Sequence, residues 1–468
     1  MDGAACKAGL TTRREFLGLA GQAGFGALAF SAAGDALVRR GPAEAHAAAA
    51  GEAVREFWLF ARRARWELAP GKVIEAWTYN GQVPGPEIRV REGERVRTIL
   101  KNELPEPTTI HWHGVDVPNP MDGVPGVTQE PVMPGETFLY EFTARPPGTR
   151  WYHSRFQEHK QLDLGLAGPL IIEPARRAGP ASDREYTLVL DDWANEMGAR
   201  YGPSYDTFTI NGKAYPATEP LRVRKGERVR LRLINTSSEH THVIRLAGHR
   251  LMVTHTDGNP LVQPVEVDAV PIAPSERYDV QFVADRPGAW FLYCAQPGHP
   301  AAGEQVLVMY EGHEGARPEG PVEGVSGLSL WRYGLGRGHG LPHRSSGRER
   351  TFALTLDGTM ASDVWTINGK RYPRTDPLRV SRGELVRVRI DNVSAEAHPM
   401  HLHGQSFRLL AFDGHRLREP IVKDTVDLAP LTGRVDIEFV AHNPGKWLLH
   451  CHKPMHMEGG MITLVDVG

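Results

Sequence analysis

Cysteine is scarce in this chain, with only three among 468 residues. So small a number excludes a disulfide-dense scaffold. Cys6 lies near the amino terminus, which leaves Cys294 and Cys451 as the one pair that an oxidising compartment could join.

An excess of charge of one sign is also missing, because 54 basic and 56 acidic residues leave a formal net charge of −2. This balance indicates neither nucleic acid nor an anionic membrane as a partner. Beyond the amino terminus, no stretch is apolar enough to span a bilayer.

The amino terminus has the composition of an export signal. Arg13-Arg14 precede an apolar, Ala/Gly-rich stretch, and small-residue cleavage candidates follow at about 43–50. The arginine pair, between Thr12 and Phe16, resembles the twin-arginine signal of proteins that fold before export. A cytosolic amphipathic helix is the alternative interpretation. Because of the arginine pair and the apolar stretch after it, we assign residues 1–50 to a twin-arginine-type signal and expect a periplasmic or secreted protein.

The chain contains a module that occurs three times. In each copy an Asn-Gly turn and a Gly-Glu turn bracket alternating β-branched and basic residues, which predicts strands in hairpins. The two turns of each copy are Asn80-Gly81 and Gly93-Glu94, Asn211-Gly212 and Gly226-Glu227, and Asn368-Gly369 and Gly383-Glu384. This repeat predicts three all-β sandwiches. They span residues 51–176, 177–311 and 350–468, with a Gly-rich connector at 312–349.

Histidines at alternating spacing occur in the first and third modules. Residues i and i+2 of a strand point to the same face, so a His-x-His pair offers two imidazoles to one cavity. The pairs are His111 and His113, His401 and His403, and His450 and His452. A single pair of this kind is usually surface decoration, whereas three pairs in repeated modules predict a metal centre. Cys451 lies inside the last pair, and imidazole with one thiolate suits copper.

These motifs resemble those of the multicopper oxidases, the laccase and bacterial copper-tolerance family built from cupredoxin domains. The resemblance covers nearly the whole chain after the signal and implies three tandem cupredoxin-like Greek-key β-sandwich domains. It implies an enzyme that takes single electrons from phenols, aromatic amines or low-valent metal ions and reduces dioxygen to water. It also implies type 1, type 2 and type 3 copper, four ions in all. We expect a monomer with no nucleic-acid partner and no membrane span.

The resemblance also implies a ligand for each copper, position by position. The type 1 copper would be held by His398, Cys451 and His456, with Met461 as a weak axial ligand. The type 2 copper would be held by His111 and His401. One type 3 copper would be held by His113, His153 and His452, and the other by His403 and His450. Cys451 lies between His450 and His452, so the electron path to the cluster is a few covalent bonds long. These three residues are the predicted catalytic residues.

One position departs from the family pattern. The family's second motif is His-x-His, and here it is His153-Ser154-Arg155. A guanidinium has no lone pair to offer, so Arg155 removes one ligand of the type 3 pair. An oxidase that tolerates this change and a non-enzymatic copper-binding or electron-transfer protein with an impaired type 3 site both remain open. His159 could replace the lost ligand only after a rearrangement, because the repeat alignment places it at the His456 position.

The same alignment finds a second set of metal-ligand residues in the middle module. The matched pairs are Cys294 with Cys451, His299 with His456, Glu304 with Met461, and His242 with His398, although counting from the preceding Asn leaves His240 as an alternative to His242. The family usually has no copper in its middle domain. The set is therefore either a second type 1 site with an oxygen ligand, which would add a copper, or a relic with an inert buried thiol.

Overall fold

The computed structural model describes residues 54–176, 181–194, 204–333 and 347–468, together with the backbone of Val38–Arg39 and Arg337–Gly338. The predicted export signal, residues 1–50, lies outside the described residues apart from Val38–Arg39. Within the described part of the chain, no helix is long and apolar enough to cross a membrane.

The first module forms two sheets. Its elements are β1 (Val38–Arg39), β2 (Val54–Ala69), β3 (Lys72–Tyr79), β4 (Ile88–Arg91), β5 (Arg95–Asn102), β6 (His111–His113), a 3₁₀ turn (Asn119–Met121), β7 (Thr137–Thr143), β8 (Gly148–His153), α1 (Glu158–Gln161) and β9 (Ala167–Glu173). One sheet has the order β1-β7-β5-β2-β3 and the other β4-β9-β8-β6. The alternation in sequence becomes an alternation of burial, since Ile88 and Val90 are buried while Arg89 and Arg91 are exposed.

The middle module also forms two sheets. Its strands are β10 (Arg184–Ala194), β11 (Tyr205–Ile210), β12 (Leu221–Val223), β13 (Arg228–Asn235), β14 (His242–Leu246), β15 (Leu251–Thr256), β16 (Asn259–Val267), β17 (Val270–Ile272), β18 (Arg277–Val283), β19 (Ala289–Cys294), β20 (Gln305–Tyr310) and β21 (Arg337–Gly338). The strand orders are β11-β10-β13-β18-β15-β16-β21 and β12-β20-β19-β14-β17.

The third module repeats this topology. Its elements are β22 (Glu349–Thr359), β23 (Val364–Ile367), β24 (Leu378–Val380), β25 (Leu385–Asn392), β26 (His398–Leu402), β27 (Phe407–Phe412), β28 (His415–Lys423), β29 (Thr425–Leu428), β30 (Arg434–Val440), β31 (Gly445–Cys451), α2 (Pro454–Glu458) and β32 (Ile462–Val467). The orders β23-β22-β25-β30-β27-β28 and β24-β32-β31-β26-β29 match the middle module strand for strand, apart from β21. The predicted all-β fold is confirmed.

The Asn-Gly turns adopt the geometry that their sequence predicts. Asn80, Asn211 and Asn368 have φ of 60°, 54° and 53°, and each following glycine also has a positive φ. Two successive residues in the left-handed region make a type I′ turn, which Asn-Gly adopts at little steric cost. The same turn therefore marks the same place in all three modules.

Buried charges join the three modules. Arg277 of the middle module donates from Nη1 and Nη2 to the carboxylate of Asp424 in the third, at 2.7 and 2.5 Å. Arg150 of the first module donates to the same carboxylate at 3.5 Å. All three side chains are almost fully buried. Burial alone would raise the pKa of Asp424, but the charge and hydrogen bonds of Arg277 hold it well below its usual value.

The described part of the predicted connector packs against the middle module. Trp331 and Tyr333 are buried, and the Trp331 amide donates to the Ala269 carbonyl at 3.0 Å. The Tyr333 hydroxyl donates to the Glu276 carboxylate. The connector up to residue 333 is therefore part of the middle sandwich surface.

Candidate metal centres

His398, Cys451 and His456, here called the mononuclear group, come together at one end of the third module. His398 begins β26, Cys451 ends β31 and His456 lies on α2. The Cys451 Sγ lies 3.5 Å from His398 Nδ1 and 3.6 Å from His456 Nδ1, and the two nitrogens are 3.0 Å apart. At these separations, one point lies about 2 Å from all three atoms, and 2 Å is the length of a metal–imidazole bond. The group can therefore hold one ion.

Neighbouring residues fix the orientation of these side chains. Ser394 Oγ lies 2.7 Å from His398 Nε2, which turns the other ring nitrogen towards Cys451. The Trp365 ring packs on His456 at 3.8 Å between centroids. The Cys451 amide donates to the carbonyl of the fully buried Met461 at 3.1 Å. Cys451 carries a free thiol, and so does Cys294, so the disulfide that sequence left open does not form.

A second group, the histidine cluster, lies where the first and third modules meet. Its members are His111, His113, His153, His401, His403, His450 and His452. The strand β6 pairs with β8 so that His111 lies opposite His153, and β26 pairs with β31 so that His401 lies opposite His450. The two pairs of strands thus present their histidines to one another, as the alternating spacing predicts.

The ring nitrogens of the cluster are arranged as metal ligands. Nδ1 of His111, His153, His401 and His450 each lies 2.7 to 2.9 Å from a backbone carbonyl. A carbonyl only accepts, so each Nδ1 donates and each Nε2 keeps its lone pair. Among the described residues, Nε2 of His111, His153 and His401 and both ring nitrogens of His452 have no hydrogen-bond partner. Buried nitrogens without partners are costly unless a metal binds them, so this donor set fits copper.

Burial keeps these imidazoles neutral. It lowers the pKa of His398 to about 3, with a further contribution from Lys453. It also lowers the pKa of His401 to about 3. A neutral imidazole retains the lone pair that a metal needs, so both groups are ready to bind at neutral pH.

Two carboxylates that the sequence did not single out orient the cluster. Asp122 accepts a hydrogen bond from His403 Nδ1 at 2.8 Å through Oδ2. Asp424 Oδ1 lies 3.2 Å from His113 Nε2, and the Asp424 carbonyl accepts from His401. Such partners fix the tautomer and direction of a ligating ring. The only sequence signal for Asp122 is its place in the loop after His111–His113, and Asp424 has none.

Three family models described as multicopper oxidase match residues 61–177, 184–313 and 348–468. The chain belongs to the multicopper oxidase family. Its fold of cupredoxin domains, its copper cofactor and its activity as a laccase-like, copper-dependent oxidoreductase with oxygen as acceptor follow from that membership together with the geometry above. Nothing in these similarities favours the non-enzymatic alternative.

Individual relatives agree with the family assignment. The multicopper oxidase MmcO of Mycobacterium tuberculosis is 33% identical over 85% of this chain and 84% of its own length. Laccase-1 of Fomitopsis schrenkii is 29% identical over 82% of this chain and 81% of its own length. The crystal structure of a multi-copper oxidase from Pseudomonas thermotolerans is 28% identical, with a TM-score of 0.73 over 89% of this chain and 100% of that one.

Arg155 of this multicopper oxidase is buried beside the histidine cluster. Its Nη1 contacts the Glu158 carboxylate and the Met457 sulfur, whereas Nε and Nη2 have no partner among the described residues. Burial lowers the pKa of Arg155 to about 10, so the guanidinium stays charged at neutral pH. Burial and then the charge of Arg155 lower the pKa of His450 well below its usual value. The cluster thus has a fixed cation beside it.

Glu158, which the sequence did not single out, partly offsets this charge. It begins α1, is buried, and places Oε1 3.6 Å from His153 Nδ1 and 3.8 Å from His452 Nδ1. His159, the next residue, has its Nδ1 2.5 Å from the Glu458 carboxylate and lies partly exposed. In this arrangement His159 does not take the place of the missing ligand.

The four residues predicted in the middle module also come together, and we call them the middle group. His242, Cys294, His299 and Glu304 are buried, with their ligand atoms all within 4.8 Å of one another. His240 lies apart from that set and places Nδ1 2.8 Å from an Asp192 carboxylate oxygen. The structure therefore selects His242 over His240.

Proposed function

We propose that this oxidase accepts electrons one at a time at the mononuclear group and uses them to reduce dioxygen to water at the histidine cluster. The observation that supports this route is the position of Cys451, because its sequence neighbours His450 and His452 both belong to the cluster. The His450 ring also donates to the Cys451 carbonyl at 2.7 Å. A few covalent bonds and one short hydrogen bond therefore connect the two groups.

The assignment of ligands is part of the proposal. Type 1 copper is held by His398, Cys451, His456 and Met461, type 2 copper by His111 and His401, and the type 3 pair by His113, His153 and His452 on one side and His403 and His450 on the other. The mutually close donor atoms of His113, His153 and His452 support one side of the type 3 pair. A second set joins His403 and His450 of the other side with His401, a ligand of the neighbouring type 2 copper.

Copper, when bound, supplies one-electron transfer and the reduction of dioxygen. The protein's own part is positional. Asp122 and Asp424 hold the rings of His403 and His113 in place, and the near-complete burial of the cluster keeps bulk water away from it. A dry, preorganised site avoids reorganisation when charge moves.

The proposed reductant is a phenol, an aromatic amine or a low-valent metal ion. Relatives named laccase and copper resistance protein A support the organic and the metal-related ends of that range, respectively.

A single preparation tests the proposed function. The copper-loaded chain should show the intense visible absorption of a copper thiolate and consume oxygen when given 2,6-dimethoxyphenol. Chelator-treated protein is the control and should do neither. Visible absorption without oxygen uptake, on a phenol, an aromatic amine and a ferrous or cuprous salt alike, would show that the chain carries or stores copper without acting as an oxidase.

We also propose export to the periplasm or beyond through the twin-arginine signal. Arg13-Arg14 and the apolar stretch after them support it. Replacing both arginines with lysine should keep the protein in the cytoplasm, as measured by cell fractionation, while a lysine substitution at Arg39 or Arg40 should leave export intact. Equal export of both variants would contradict the proposed route.

A further inference from the structure

The middle group occupies the same backbone positions as the mononuclear group. In the third domain His398 pairs with Leu428, and Met400 pairs with Cys451. In the middle domain His242 pairs with Ile272, and the residue two places on, Ile244, pairs with Cys294. The histidine that begins the strand therefore stands in the same register to its cysteine in both domains.

The fourth ligand position is equivalent by the same criterion. The Cys451 amide donates to the Met461 carbonyl at 3.1 Å, and the Cys294 amide donates to the Glu304 carbonyl at 3.1 Å. The same backbone hydrogen bond also closes the loop between the second histidine and the fourth position in both domains. The amide of Met461 donates to the His456 carbonyl at 3.1 Å, and the amide of Glu304 donates to the His299 carbonyl at 3.0 Å. Glu304 thus stands where the third domain has its methionine.

The supporting residues around the ligands are retained as well. Ser237 Oγ lies 2.7 Å from His242 Nε2, as Ser394 lies 2.7 Å from His398. The Phe208 ring stacks on His299 at 3.8 Å between centroids, as Trp365 packs on His456 at 3.8 Å. A relic with an inert thiol needs neither a hydroxyl that orients an imidazole nor a ring that holds the second one.

Glu304 is turned into the centre of the group. Its Oε1 lies 2.6 Å from His242 Nδ1 and its Oε2 lies 2.9 Å from His299 Nδ1, and the carboxylate is fully buried. A thiolate and a carboxylate ligand together carry two negative charges, which a divalent cation cancels. Because burying uncompensated charge is costly, such an ion makes this arrangement electrostatically favourable.

We propose that the middle domain binds its own mononuclear Cu(II) ion through His242, Cys294, His299 and Glu304. This site goes beyond the oxidase function, which needs only the mononuclear group and the histidine cluster. Copper is the ion of choice because nitrogen and sulfur donors bind Cu(II) more tightly than Zn(II). A charged oxygen ligand in place of the methionine sulfur stabilises Cu(II) over Cu(I). The middle site therefore has a lower reduction potential than the third-domain site.

Cysteine variants of the copper-loaded full-length chain test the proposal. Cys451→Ser removes the third-domain thiolate, so copper–thiolate absorption that remains in this variant and is lost when Cys294 is also replaced by serine belongs to Cys294. We expect Cys451→Ser to keep such a band and to hold one copper ion more per chain than the double variant Cys451→Ser/Cys294→Ser. A Cys451→Ser protein without the band, with the copper content of the double variant, would overturn the site. Zinc in place of copper at this position would overturn the assignment of the metal.

A second variant tests the fourth ligand without removing the thiol. In the Cys451→Ser background, Glu304→Met should keep the copper, shift the copper–thiolate band and raise the reduction potential of the site. Glu304→Gln, which keeps the shape and loses the charge, should raise the potential as well. An unchanged band and potential in both variants would show that Glu304 does not bind the metal and would contradict the proposed four-ligand site.

Discussion

Replacing Cys451 with serine should lower the rate of oxygen uptake by about a thousandfold or more, the scale of loss when a residue on which the reaction depends is removed. The reason is that Cys451 combines two functions. Its Sγ supplies the thiolate of the mononuclear group and lies 3.5 and 3.6 Å from Nδ1 of His398 and His456. Its backbone is also the link to His450 and His452. Serine keeps the size of the side chain but supplies no thiolate.

The measurement is oxygen consumption with 2,6-dimethoxyphenol, together with the visible spectrum of the third-domain copper. Thr463→Ser is a suitable control, because Thr463 is buried in β32, is none of the proposed ligands, and donates to the Asp376 carbonyl through a hydroxyl that serine keeps. Its oxygen uptake should stay close to that of the parent chain. If Cys451→Ser keeps more than about a tenth of the uptake, electrons enter the cluster by another route.

Arg155→His should raise the rate of oxygen uptake by at least about tenfold, since even the loss of an outer partner of a ligand typically changes metal affinity or activity by 10–100-fold. Histidine at this position adds the imidazole that His403 and His450 lack and removes a buried positive charge next to them. The near-ultraviolet absorption of a coupled copper pair should increase together with the rate.

Two matched variants separate the effect of the ligand from that of the charge. Arg155→Met removes the guanidinium without adding a donor and should leave the uptake far below that of Arg155→His. The double variant Arg155→His/Glu158→Gln also removes the negative charge of Glu158, which Arg155→His alone would leave without its cationic partner. An equal gain from methionine would mean that the charge of Arg155, and not the missing imidazole, limits the reaction.

The sequence predicted those parts of the molecule that a local pattern encodes. Asn80, Asn211 and Asn368 mark the repeated turns because a type I′ turn needs those residue types in immediate succession. The alternating histidines predicted shared faces because the strand period is two. The equivalence of Cys294 and Cys451 followed from spacing alone, and the strand register of both cysteines agrees with it.

The parts that the sequence did not predict depend on contacts between distant segments. Asp424 meets Arg277 and Arg150 across 147 and 274 positions of sequence. Glu158 contacts Arg155 within one turn, but its proximity to His452 depends on how the first domain packs against the third. Single carboxylates in loops have no period or spacing that would distinguish them from solvated surface residues.

The ion pairs of Asp424 impose an order of events on the maturation of the protein. The histidine cluster takes its rings from the first and third domains, while the carboxylate that orients His113 is itself held by Arg277 of the second. No single domain contains the complete histidine cluster, and the carboxylate that orients His113 has its full set of ion pairs only when the second domain is also in place. The domains must therefore dock before the cluster can take up its metal, so metal loading becomes a check that the whole chain has folded. This order agrees with the twin-arginine export proposed above, a route for proteins that fold before they are transported.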